Sequence, residues 1–273
     1  MHELRRMRPL LGTFVEVGAR GPNAAQALDA AFACIAAAQD RWSFQDAGSE
    51  LSRLNAAGGE PLAVHPATVR LLRLAAALMR RSGGLFNCTV GGALVQQGVL
   101  PDHGGPPALP RGCAEDIETG RRWARLGRPV RVTLDGIAKG MAVDEAVVAL
   151  RQSGATAGWI NAGGDLRVFG DMVLPVHRRE DDGHMTPLGA LRDAAVASSR
   201  VPSPGEASDP AFPGCLIGPP EHPPRPGIWT VLARTAWRAD ALTKVAACAA
   251  PADREALVAS LGGRLLMQGE HAT

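Results

Sequence analysis

Helix-like and strand-like segments are mixed along this chain without strict alternation, and no other feature of the sequence constrains the fold as strongly. The stretch from Asn23 to Asp40 is rich in Ala and spaces its apolar residues as a helix does. Pro66 takes the favoured first position of a second helix, which Gly83 and Gly84 end. Residues 11–17 alternate in polarity as a strand does. This mixture predicts an α+β fold, because an α/β fold would alternate its strands and helices regularly.

The other periodic segments are shorter and complete the expected set of elements. Strands are predicted at 130–134, 159–160, 166–169, 228–233 and 264–267. Helices are predicted at 139–152, 240–249 and 251–261. Proline-rich or charged stretches predict loops at 101–114, 177–190 and 200–227.

The charge balance excludes two classes of function. The chain has 29 Lys and Arg against 27 Asp and Glu, a net charge of +2. Nucleic-acid binding and membrane-surface binding both require a concentrated basic face, which this balance does not supply.

No apolar run is long enough to span a bilayer, and the charged residues 1–6 do not resemble an export signal. We therefore expect a protein that acts in the cytoplasm.

The cysteines predict no covalent or metal framework. They occur singly, without a CxxC pair, at Cys34, Cys88, Cys113, Cys215 and Cys248. An odd number of isolated cysteines argues against a closed set of disulfides and against a cysteine-based zinc site.

One segment, Leu134 to Gly140, lies where a predicted strand passes into a predicted helix. The first turn of a helix has unpaired N–H groups and positive dipole density, which suit a phosphate, and the glycines would let a ligand approach the backbone. The segment matches neither GxxxxGK[ST] nor GxGxxG. Capping of the helix by Asp135 explains the same residues without a ligand.

Two further segments allow a functional and a structural interpretation. Asn161 to Asp165 is a Gly-rich turn between two strands, and a simple hairpin explains it. Asp240 and Thr243 place oxygen atoms three residues apart on one helical face, where they could hold a hard cation such as Mg²⁺. An N-capping Asp beside a solvated Thr is the alternative.

Taken together and in order, the polar and Gly-rich segments resemble the FAD:protein FMN transferases, the ApbE-type flavin transferases. The resemblance extends from about residue 8 to residue 250, and its most specific parts are 135–140 and 161–170. The segments that carry it are 8–13, 46–55, 84–90, 134–140, 161–170 and 239–243.

The resemblance implies a fold, an activity and a cofactor. Family members have an α+β fold related to tandem T-fold units, with FAD in a cleft between the halves. The chain would then be one flavin transferase domain over 1–273, with its core at about 8–268. Family members transfer the FMN half of FAD to a Thr or Ser hydroxyl of a target flavoprotein and release AMP. This attack at phosphorus depends on positioning and charge neutralisation, which Mg²⁺ usually assists in the family.

The resemblance also assigns roles to individual residues. Asp240 would be the metal-binding carboxylate and the main catalytic group, with Thr243 and the backbone carbonyl of Ala138 as further metal ligands. Gly163 and Gly164 would let the backbone line the cleft. The residues expected to contact FAD are Leu11, Gln45, Leu85, Phe86, Asn87, Asp135, Met141 and Ile217.

The sequence departs from the family pattern at several of these positions. Lys244 stands where the family has a metal-binding Thr, and Thr243 lies one residue earlier. A protonated lysine cannot ligate Mg²⁺, but it could lie near the pyrophosphate and supply part of the charge of the cation. Residues 215–219 replace a His-Ile-Ile-Asp-Pro-like segment and lack its His and its Asp. Gln45 replaces an aromatic residue that packs on the flavin, and Asn87 replaces a frequent Asp.

Three functions remain open at this point. The first is an active flavin transferase, and the second is an inactive relative that binds FAD. The third is a pyrophosphatase that splits FAD into FMN and AMP with water.

Overall fold

The computed structural model of the chain describes residues 2–203, 205–206 and 216–266. The strands are β1 (Leu4–Leu10), β2 (Thr13–Arg20), β3 (Leu62–Ala63), β4 (Ile117–Thr119), β5 (Trp123–Leu126), β6 (Ala157–Ala162), β7 (Asp165–Phe169), β8 (Val173–Arg179), β9 (Met185–Arg192), β10 (Ala195–Val201), β11 (Gly227–Ala233) and β12 (Gly263–Leu266). The helices are α1 (Ala24–Trp42), α2 (Glu50–Ala56), α3 (Pro66–Arg81), α4 (Gly91–Gln96), α5 (Ala138–Gln152), α6 (Ala236–Cys248) and α7 (Arg254–Ser260), with a short 3₁₀ turn at Ala114–Asp116.

A seven-stranded sheet in the order β1-β2-β6-β7-β10-β11-β12 is the centre of the fold, and every neighbouring pair in it is antiparallel. One face of this sheet packs against α1, α5 and α6. Val15 and Val17 of β2 are fully buried on that face, together with Phe32 and Ile35 of α1. The opposite face packs against the β8–β9 hairpin through Trp159, which joins Val176 and Leu188 in a separate cluster.

A second core lies beyond α5 and α6 and contains α2, α3 and the small sheet β3-β5-β4. The apolar stripe of α3, with Val69, Leu72 and Met79, is buried in it. Both α5 and α6 contribute side chains to each core: Met141 faces the second core and Val147 the first. The starts of these two helices therefore lie between the cores, where a ligand cleft is expected.

The α+β class is confirmed, and most of the predicted helices and strands are present within a few residues of their expected bounds. The α3 helix begins at Pro66 as predicted, and the turn at 163–164 joins β6 to β7. No helix in the described part of the chain is long and apolar enough to cross a membrane.

Two predictions of secondary structure were wrong. Residues 130–134 are extended but form no strand, because the Asn55 side chain bonds both the N–H and the C=O of Val132 at 2.7 and 2.8 Å. Val132, Thr133 and Leu134 are all buried, so the alternation of residue types there does not correspond to one buried and one exposed face. Residues 177–190 were predicted as a loop, but most of them form the β8–β9 hairpin. Its charged residues lie mainly on the solvent side, while Val176 and Leu188 face the sheet.

Candidate active site

The site is built where the first turns of α5 and α6 meet. The N–H of Gly140, in the first turn of α5, donates to Oδ2 of Asp240 on α6 at 3.2 Å. In return, Ala236 and Trp237 at the start of α6 donate to the two carboxylate oxygens of Asp144 on α5, at 3.0 and 2.9 Å. Each helix thus caps the other, since an unpaired N–H at a helix start needs an acceptor. These hydrogen bonds hold Asp240 beside the Asp135–Gly140 turn.

This reciprocal capping depends on a close approach that only glycine permits at position 140. A Cβ added to Gly140 would lie 2.6 Å from the Cα of Trp237 and would overlap the carbonyl of Ala236. The sequence predicted that the glycines of this segment admit a ligand to the backbone, and the structure shows that Gly140 allows α6 to pack on α5.

The carboxylate of Asp240 has internal partners at both oxygens. Its Oδ1 pairs with Nζ of Lys244, and its side chain is fully buried. The same ammonium donates to the Asp240 carbonyl at 3.2 Å and to Oγ of Ser199 at 3.0 Å. The hydroxyl of Thr243 donates to the Asp240 carbonyl at 2.7 Å and lies 2.7 Å from the Ser199 hydroxyl. Asp240, Thr243 and Lys244 therefore form one closed network with Ser199.

A second carboxylate, Asp165, lies at the start of β7 directly after the Gly163–Gly164 turn. It is buried, and its Oδ2 lies 3.5 Å from Nζ of Lys139 in the first turn of α5. Burial and the nearby Asp240 raise the pKa of Asp165 to about 7, although Lys139 opposes this change. Conversely, the negative charge of Asp165 raises the pKa of Lys139.

Asp135 is the third carboxylate of the site and the one nearest to solvent. The hydroxyl of Thr133 donates to its Oδ2 at 2.9 Å. The residue is exposed, yet its carboxyl group is closely surrounded by protein, which is the situation of a side chain on the wall of a cleft. Desolvation in the cleft raises the pKa of Asp135, while the Thr133 hydrogen bond and the charge of Lys139 lower it.

The residues predicted to hold Mg²⁺ do not fit a divalent cation in this arrangement. The ammonium of Lys244 lies at Oδ1 of Asp240, where its positive charge would repel a divalent cation at the same oxygen. The Thr243 hydroxyl is directed to the Asp240 carbonyl and to Ser199. Within the described residues, no group of three or more His, Cys, Asp or Glu side chains could hold a metal. The set of Ala138, Asp240 and Thr243 thus lacks the open carboxylate that the sequence had suggested.

The structure brings some of the predicted FAD contacts to this site. A Cβ added to Gly136 would lie 3.4 Å from the ring of Phe86 and 3.5 Å from Cε of Lys244, so these three residues adjoin one another. Leu85 is buried in the second core, as is Met141 directly beneath the first turn of α5.

Other predicted contacts have mainly structural partners. The Nδ2 of Asn87 donates to the Gly112 carbonyl, and its Oδ1 accepts from the N–H and the hydroxyl of Thr89, so Asn87 holds its own loop. Leu11 has a φ of 56° and packs against both cores. Gln45 is exposed, and Ile217 packs at the edge of the second core. Cys215, the first residue of the segment that replaces the family's His-Ile-Ile-Asp-Pro-like one, lies outside the described residues.

Three residues of the cluster were not assigned a role from the sequence. Lys139 and Asp165 each lie inside a segment that carries the family resemblance, and each follows a Gly-containing turn, which is the signal that could have indicated them. Ser199 lies on β10, a strand that the sequence did not predict, and it had no signal.

Comparison with known proteins gives consistent results. The model of the ApbE family matches residues 11–200. The FAD:protein FMN transferase of Rhodobacter capsulatus is 33% identical over 181 residues, which are 59% of this chain and 34% of that protein. The match thus spans about a third of the length of this curated relative.

Solved structures show the same fold. The ApbE protein of Thermotoga maritima matches with a TM-score of 0.79 at 22% identity, over 97% of this chain and 94% of that one. The apo flavinyl transferase ApbE of Pseudomonas stutzeri matches with a TM-score of 0.77 at 17% identity, over 97% and 94%. The flavin transferase ApbE of Vibrio cholerae matches with a TM-score of 0.75 at 19% identity, over 97% and 96%.

Proposed function

Since the chain belongs to the ApbE family, we propose that it is an FAD:protein FMN transferase. The hydroxyl oxygen of a Thr or Ser in a partner flavoprotein attacks the FMN phosphorus of FAD. A new P–O bond forms there, the bond from that phosphorus to the bridging oxygen breaks, and AMP leaves with the bridging oxygen. The hydroxyl proton passes to solvent. The substrates are therefore FAD and a protein.

The observation that carries this proposal is the charged cleft at the start of α5. Lys139 and Lys244, paired with Asp165 and Asp240, place two ammonium groups beside the Asp135–Gly140 turn, and the first turn of α5 adds positive dipole density. Such fixed positive groups stabilise the charge that develops on phosphate oxygens during transfer. Phe86 adjoins Gly136 and supplies an apolar surface next to the same turn.

We assign the remaining predicted residues to FAD as follows. Asp135 accepts a hydrogen bond from a ribityl or ribose hydroxyl, because its carboxylate faces the cleft. Asp240 acts by holding Lys244 and the start of α5 in place. Contacts with the flavin half are assigned to Leu11, Gln45, Leu85, Phe86, Asn87, Met141 and Ile217.

Intact-mass measurement of a flavin-acceptor domain tests the proposal. The domain is incubated with this protein and FAD, with and without Mg²⁺, and an acceptor Thr→Ala variant is the control. We expect a mass gain of FMN less one water in the acceptor and none in the control. AMP should appear in equal amount. Absence of transfer to several acceptors would contradict the proposal.

A second candidate function is FAD binding without transfer, and the closed network around Asp240 favours it. Each carboxylate oxygen of Asp240 accepts from a protein donor and the side chain is fully buried, so Asp240 does not face a substrate proton. In that case FAD would stay intact in the mass experiment. Release of AMP without any acceptor would instead indicate hydrolysis.

A further inference from the structure

We propose that the ammonium of Lys244 takes the place of a divalent cation in this chain, so that FAD is bound without metal. The inference rests on the proposed function and specifies how the site compensates the charge of the pyrophosphate.

Three oxygen atoms surround Nζ of Lys244. Oδ1 of Asp240, the carbonyl of Asp240 and the hydroxyl of Ser199 all lie within hydrogen-bond distance. These are the oxygen types that coordinate a hard cation, and an ammonium has three N–H donors to match them. The position is thus a cation site that the chain fills with its own side chain.

The pair of Asp240 and Lys244 is buried. The Asp240 side chain is 0% exposed and that of Lys244 is 15% exposed. A buried carboxylate that loses its cationic partner is strongly destabilised, so a metal would have to replace the ammonium rather than join it. Mg²⁺ also needs six ligands at about 2.1 Å and gives up its water reluctantly. Thr243 and Ser199 bond each other and offer no ready replacement for that water.

Lys244 lies beside the turn that precedes α5. Its Cε is 3.5 Å from the position of a Cβ on Gly136, so the side chain runs along the Asp135–Gly140 turn proposed to face the pyrophosphate. Lys139 adds a second ammonium from the first turn of α5. Both charges are covalently fixed, and their effect does not depend on the metal concentration.

Equilibrium binding of FAD to the whole chain in EDTA and in excess Mg²⁺ tests the inference without any mutation. We expect Kd values that agree within twofold in the two buffers. Binding at least tenfold tighter in Mg²⁺ would overturn this inference and leave the proposed function intact. Failure to bind FAD in either buffer would overturn both.

A variant pair sharpens the test. Lys244→Thr, with its folding checked by thermal melting, is expected to weaken FAD binding in EDTA at least tenfold. Arg192→Met is the matched control, because it removes a cation that pairs with Asp171 on the exposed side of the hairpin. The control should change Kd by less than twofold. Unchanged binding by Lys244→Thr in EDTA would overturn the inference.

Discussion

The first turns of α5 and α6 are capped in the same way, each by a carboxylate of the other helix, but the two caps have different roles. At the start of α6, the carboxylate of Asp144 accepts from two backbone N–H groups and pairs with Arg167 on β7. At the start of α5, the carboxylate of Asp240 accepts from one N–H group and pairs with Lys244 on its own helix. In both cases a buried carboxylate caps a helix and holds a cation.

The difference lies in what surrounds each pair. Asp144 pairs through Oδ1 with one planar guanidinium, and both of its oxygens also accept from the start of α6. Around Asp240 the chain adds two further carboxylates, Asp135 and Asp165, and the pKa of each is raised by burial. Such crowding costs stability and is typical of a site that binds or reacts. The comparison predicts that variants of the contacts at the start of α6 lower stability. Variants of the contacts at the start of α5 should change ligand binding as well.

Asp144→Ala gives the largest expected effect, because it removes two caps and leaves Arg167 without its buried partner. We expect the free energy of unfolding to fall by about 3–5 kcal/mol in urea denaturation. The control Asp171→Ala breaks an exposed pair and should change it by less than about 1 kcal/mol. A loss below that of the control would mean that the Asp144 contacts do not hold α6.

Gly140→Ala addresses the contact between the two helix starts. The added methyl group would overlap the α6 backbone at Ala236 and Trp237, which cannot move without breaking the caps. We expect a loss of about 1–3 kcal/mol by the same denaturation measurement. Gly48→Ala is the control, since its nearest neighbour is the flexible side chain of Asp46, at 3.3 Å. Equal stability of the two variants would contradict the close packing of α5 and α6.

The sequence predicted the elements of this junction, because their signals are local. Residues 139–152 have helical spacing and end near Gly154, and the Gly163–Gly164 turn has positive φ at both residues. The family resemblance directed attention to Asp135, Asp240 and Lys244, and the structure brings these into one cluster.

The contacts that define the site could not be predicted, since they join distant parts of the chain. Nothing near Asp240 in the sequence indicates that it caps a helix one hundred residues away at Gly140. Ser199 lies on a strand of small and polar residues without clear alternation. The prediction of Asp240 as a metal ligand rested on its spacing from Thr243 and on the family resemblance, and neither shows the i,i+4 pair that it forms with Lys244.

Asp165→Asn tests whether charge crowding lowers stability at the start of α5. With its pKa raised to about 7, folded Asp165 binds a proton that the unfolded chain releases near pH 4, so the wild type loses stability as pH rises through this window. The amide does not titrate. We therefore expect the variant to gain on the order of 1 kcal/mol relative to wild type between pH 5 and pH 8 in denaturation curves.

The control variant is Asp116→Asn, which should change the free energy of unfolding in the opposite direction. Arg128 holds the pKa of Asp116 below its usual range, so the stability it contributes is present at neutral pH and is lost as pH falls. Asp116→Asn should therefore be less stable than wild type at pH 8. If Asp165→Asn followed the same pH course as Asp116→Asn, the crowding at α5 would not be destabilising.

Asp135→Asn gives the smallest expected effect and separates binding from folding at the same helix. The residue is exposed, so its replacement should leave the free energy of unfolding within about 0.5 kcal/mol of wild type. The amide keeps an acceptor oxygen for a ligand hydroxyl but loses the charge that strengthens the hydrogen bond. We expect the Kd for FAD to rise about threefold, or ~0.6 kcal/mol, in equilibrium titration. A large loss of stability with unchanged Kd would make Asp135 a structural cap like Asp144, and the two helix starts would then differ less than their surroundings indicate.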